Sequence, residues 1–136
     1  MKRTILLFLF LAIAATSCKK DPSIKNIVFK GKYLGKGCWQ VIQVLQPSLS
    51  SVGIDRSDTK WVGSLSSAPS YHDTIYFNAV GAGLVPDTFR NKQPFYFTIS
   101  AIKSNIIHVM DCSIPKYTFV IKDISFSKAK LNKNAQ

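Results

Sequence analysis

The chain has 136 residues, a length that suits one domain with one real core. Eighteen lysines and arginines against seven acids give a net charge of +11, and every acid is an aspartate. The lack of glutamate, which usually covers the exposed faces of helices, argues against a helical protein. The supply of Ile, Val, Phe, Thr and Tyr argues for strands.

The first eighteen residues read as an export leader. Lys2 and Arg3 give a positive start, and Ile5 to Ala15 run without a polar residue. Ala15-Thr16-Ser17-Cys18 closes the run with small residues and a cysteine, so residues 1–17 form a signal peptide. The run is too short to cross a bilayer, which takes roughly 20 apolar residues. Ordinary signal-peptidase cleavage would leave Cys18 as a free thiol. Acylation of Cys18 would instead leave Cys38 and Cys112 as an even pair in an oxidising compartment. Losing Lys2 and Arg3 takes the net charge from +11 to +9.

Residues 18–26 read as a flexible tether. The domain is expected over residues 27–127. Strands are predicted at Ile27 to Leu34, Cys38 to Leu45, Thr59 to Leu65, Thr74 to Val80, Phe95 to Ile102, Ile106 to Asp111 and Tyr117 to Phe126. Gly35-Lys36-Gly37 reads as a bend, and Gly81-Ala82-Gly83 as an interruption. Gln46 to Asp58 and Ser66 to Asp73 read as loops, the first of them long. Pro86 to Phe89 suits one helical turn. Phe95, Phe97, Ile99 and Ala101 alternate onto one face of their strand. Residues 128–136 read as a frayed basic tail. Short strands between turn signals, with at most one helical turn, predict an all-β sandwich or small barrel.

Few residues suggest chemistry. Cys38 and Cys112 lack the spacing of a zinc or redox motif, so a structural disulfide is expected. Closing so long a loop stabilises by about 4 kcal/mol in the chain-entropy treatment. His72-Asp73, and His108 with Met110 and Asp111, are the histidine candidates for a metal or acid–base site, and no metal site is assigned to them. No Gly-x-Ser-x-Gly occurs, the glycines spell no phosphate loop, and no catalytic residue or cofactor is assigned. The lysines are the strongest functional feature. Lys19, Lys20, Lys25, Lys30, Lys32 and Lys36 crowd the front; Lys122, Lys128, Lys130 and Lys133 crowd the end. If the terminal strands are neighbours, Lys30, Lys32 and Lys122 form one basic face for anionic lipid, polysaccharide or an acidic protein. Trp61, Tyr33 and Tyr96 would suit nucleic acid on a basic barrel, but export makes that partner a poor fit.

Two resemblances extend this reading. Ala15-Thr16-Ser17-Cys18, followed by Lys19-Lys20-Asp21, resembles a bacterial lipobox of the kind found in the Bacteroidota, with Ala15 where many carry leucine. It implies lipidation at Cys18 and an outer-membrane lipoprotein facing the periplasm or the surface. Gly37-Cys38, Leu84 to Phe89 before Phe95-Tyr96-Phe97, Asp111-Cys112 and Val120 to Phe126 resemble small Bacteroidota lipoproteins with an OB-like barrel of five to seven strands. The expected role is non-enzymatic binding or scaffolding at the envelope; the alternative is a small envelope hydrolase.

Overall fold

The structure, a computed structural model, describes residue 24 and residues 27–37, 39–63, 74–104 and 114–133. Its centre is a closed barrel. Strand β1 (Phe29–Lys36) alternates strictly: Phe29, Gly31 and Tyr33 point inward, and Lys30, Lys32 and Leu34 point outward. It runs antiparallel to β2 (Gln40–Gln46), and Gly37 donates its N–H to the Trp39 carbonyl at 3.0 Å where the chain reverses. Strands β3 (Trp61–Gly63) and β4 (Thr74–Tyr76) form a separate two-stranded sheet. Strand β5 (Ala79–Ala82) returns to the barrel beside β2, and β6 (Pro94–Ser104) and β7 (Tyr117–Ser125) complete it. The barrel order is β1-β2-β5-β7-β6, closing where β6 pairs with β1. Pairing is antiparallel except between β5 and β7, which run parallel.

The interior is aromatic. Phe29, Phe95, Phe97 and Phe119 are wholly buried, with Ile42, Val44, Val80 and Val85 around them. Phe29 stacks on Phe97 at 5.6 Å between centroids and meets Phe119 at 5.3 Å. Each such ring contributes about 1.5–3 kcal/mol by leaving water. A smaller cluster lies on the outer face of β2 and β5. There Val41 and Ala79 pack under Trp61, which stacks on Tyr76 at 5.6 Å.

Several predicted elements differ from what forms. The single strand expected over Thr74 to Val80 breaks at Asn78, whose φ of 54° turns the chain from one sheet into the other. Asparagine tolerates that left-handed conformation. Gly81 and Ala82 lie inside β5 rather than interrupting it. The loop expected from Gln46 to Asp58 carries 3-10 turns at Leu49–Val52 and Ser57–Thr59. Leu49, Val52 and Ile54 are buried, so this segment contributes core. The inward alternation of β6 fails after Ile99. Register shifts against β7 flank Ile99, and Ile102 takes the packed place expected for Ala101. The expected tether also ends early, because Ile24 packs against the main core. The expected frayed tail includes an α-helix, α1 (Lys128–Lys133), held by Leu131, which is 4% exposed.

The expected adjacency of the terminal strands does not occur. Strand β6 lies between β1 and β7. An antiparallel β6–β7 hairpin and an antiparallel β1–β6 pair together leave the last strand one place away from the first.

Candidate functional site

The lysines sort themselves by strand geometry. Lys30 and Lys32 share the outer face of β1, one pleat period apart. Lys122 is exposed on β7, with β6 between it and β1. The three lysines expected to form one face therefore divide into a pair and a separate residue.

A different lysine joins Lys30. The register sets Gln46, Lys30, Tyr96 and Ser125 in one row across β2, β1, β6 and β7. After Ser125 the chain turns, with Ser127 donating its N–H to the Ser125 Oγ at 3.1 Å, and starts α1. Burial of Leu131 fixes that helix against the barrel. Lys128 thereby comes back over the same row. Val28, Lys30, Gln46, Pro47, Tyr96 and Lys128 line an open cleft of about 430 Å³. No acidic side chain is among them. The Lys30 ammonium lies 5.8 Å from the centre of the Tyr96 ring, within cation–π reach.

The cleft can hold an anion between two ammonium groups, against a phenol ring and the apolar edges of Val28 and Pro47. Its lining holds no carboxylate, histidine, cysteine or serine. Lysine at both chain ends was the signal visible in the sequence. The missing part was which end residue returns, because that depends on the helix after β7. Tyr96 was visible only as an aromatic on the outer face of its strand.

The other aromatics considered for a stacking platform are used elsewhere. Tyr33 points into the barrel and Trp61 is buried against Tyr76. Burial holds the Tyr33 hydroxyl above its ordinary pKa of 10.0, the nearby Arg90 pulling it down and Asp87 pushing it up. Trp39 is 39% exposed on the outer face of β5, and its ring closes over Gly81.

Away from the cleft, two ionic groups hold the segment before β3. Asp55 accepts bonds from the Ser57 hydroxyl at 2.7 Å and the Ser57 N–H at 2.8 Å, which hold its carboxyl below the ordinary 3.8. Lys116 pairs with Asp58 at 2.6 Å, and that bond holds its ammonium above the ordinary 10.5.

Cys18, Cys38 and Cys112 lie outside the described residues, as do His72, Asp73, His108, Met110 and Asp111. Among the described residues no three metal-ligating side chains come together, and no helix is long and apolar enough to cross a membrane. Comparison of the chain with protein-family models, with curated proteins and with solved structures gave no match.

Proposed function

We propose that this chain is a non-enzymatic lipoprotein of the bacterial outer membrane, anchored through Cys18, whose OB-like barrel binds an anionic ligand or partner. The observation that carries the binding role is the cleft lined by Lys30, Lys128 and Tyr96 and by no acidic side chain. Two lysines that share one opening raise each other's attraction for an anion, and no carboxylate lines that opening. The OB-like assignment is supported by the five-strand order. Counting barrel strands alone, the third and fifth run parallel and the fourth closes on the first. A disulfide between Cys38 and Cys112 belongs to the same proposal. Its support is that Trp39, which follows Cys38, and Thr118, six residues beyond Cys112, both come against Gly81.

The binding role is tested with the protein extracted from membranes and a soluble polyanion, dextran sulfate. Binding is expected to weaken steeply as salt rises, since screening acts over about 10 Å at 0.1 M. Lys30→Ser with Lys128→Ser is expected to weaken it at least tenfold, and Lys122→Ser to leave it within about twofold, because the two sites are separate. Equal effects of the pair and of Lys122→Ser would show a diffuse charge rather than a site.

A further inference from the structure

We infer that the Lys30–Tyr96–Lys128 cleft seats the phosphate of an anionic lipid headgroup, in the same bilayer that holds the protein's own anchor. This rests on the reading that the chain is lipid-anchored and binds anions.

The first argument is where the anchored end of the chain enters the fold. Ile24 packs against the barrel core, and Val28 lines the cleft itself. Ile24 is six residues on from Cys18. An extended chain covers at most about 3.3–3.6 Å per residue, so acylated Cys18 stays within about 20 Å of Ile24. Val28, four residues beyond Ile24, thus puts the cleft on the segment that would carry the lipid. Tethering turns headgroup binding into an intramolecular event at high effective concentration, so a weak site is enough.

The second argument is the chemistry of the lining. Val28 and Pro47 give apolar edges, Tyr96 gives a ring with a polar tip, and two lysines give long stems ending in ammonium groups. Tyrosine and lysine of this kind settle where hydrocarbon meets headgroups. The row Gln46, Lys30, Tyr96 lies across adjacent strands, so these groups present together on one side of the barrel. A phosphate diester accepts from both ammoniums while its glycerol portion lies against Tyr96. A soluble polyanion would satisfy the lysines as well, but would leave unused the entry of the anchor beside the cleft.

The test uses the wild-type lipidated protein reconstituted in vesicles of phosphatidylcholine, with or without phosphatidylglycerol. A membrane-impermeant acylating reagent labels lysines, and peptide mass spectrometry reads the rate at each. Lys30 and Lys128 are expected to react several-fold more slowly in phosphatidylglycerol vesicles, with Lys122 unchanged and the protection lost at high salt. Equal rates in both vesicles, or equal slowing of Lys122, would overturn the headgroup assignment. So would the same protection from free glycerol phosphate added to phosphatidylcholine vesicles, which would make the ligand a soluble phosphate. Protection by dextran sulfate in detergent without protection by phosphatidylglycerol would overturn this assignment and leave the anionic-ligand reading standing. Protection by none of them would remove both.

Discussion

At the scale of single residues, two glycines report how tightly the barrel is closed. A Cβ at Gly31 would stand 2.8 Å from Cε1 of Phe97 and 3.2 Å from the Gln43 carbonyl. Phe97 is wholly buried between Phe29, Phe95 and Phe119, so it cannot retreat. Gly31→Ala is expected to cost about 1–3 kcal/mol, the usual penalty of overpacking, read by thermal or urea denaturation. A Cβ at Gly81 meets atoms as close, Thr118 Oγ1 at 2.7 Å and Trp39 Cδ1 at 2.8 Å. Here one neighbour is a part-exposed ring that can swing into solvent. Gly81→Ala is therefore expected to be the milder change and to shift tryptophan emission to the red. Similar destabilisation by the two substitutions, with no emission shift, would mean that Trp39 is held as firmly as Phe97. Neither contact was visible in the sequence, where Gly81 read as part of an interruption.

At the scale of elements, the segments expected to be loose are held by few groups each. Leu131 alone is buried in α1. Leu131→Ala is expected to cost about 2 kcal/mol, the lower end for a buried leucine. It should also release the helix and carry Lys128 away from the cleft, so polyanion binding should fall, though by less than for Lys30→Ser with Lys128→Ser. Backbone amide exchange across Lys128–Lys133 would separate loss of the helix from loss of the barrel. The segment before β3 depends on pH at both extremes. The folded pKa of Asp55 is lowered, so its contribution is present above about 3.8 and is lost as pH falls through the folded value. The folded pKa of Lys116 is raised, so its contribution is present below about 10.5 and is lost as pH rises through the folded value. Amide protection near Ser57, taken relative to the intrinsic exchange rate at each pH, is expected to fall as pH drops from 3.8 through the folded value of Asp55 and as it rises from 10.5 through that of Lys116, while β1 and β6 stay protected; unchanged protection beyond these limits would count against both bonds. The buried strands were legible because apolar alternation marks them, as in Phe95, Phe97 and Ile99. The 3-10 segment was not, because serines and Gly53 outweigh Leu49, Val52 and Ile54 in any local reading. The helix was missed because its one buried leucine sits among lysines.

At the scale of the whole molecule, strand content was legible and neighbour relations were not. Hydrophobic spacing shows which residues face inward. It carries no information on whether β6 or β7 lies beside β1, and that order decides whether Lys122 or Lys128 reaches Lys30. The same order bears on the proposed covalent link. Strands β2, β5 and β6 lie between Cys38 and Cys112 in the sequence, so a bridge would close a loop of about 75 residues, worth about 4 kcal/mol in the chain-entropy treatment. Around Gly81, the parallel contact of β5 with β7 brings Thr118 to the ring of Trp39. Trp39 and Thr118 thus lie together beside Gly81. If the chain is exported as proposed, the native protein is expected to show no free Cys38 or Cys112 thiol when labelled in denaturant without reductant. Reduction should lower its unfolding free energy by about 4 kcal/mol, a large part of the 5–15 kcal/mol of an ordinary domain. Cys38→Ser with Cys112→Ser should reproduce that loss and become insensitive to reductant. Full labelling of both thiols in the isolated protein, or a melting curve that reductant leaves unchanged, would show that noncovalent closure alone holds the barrel.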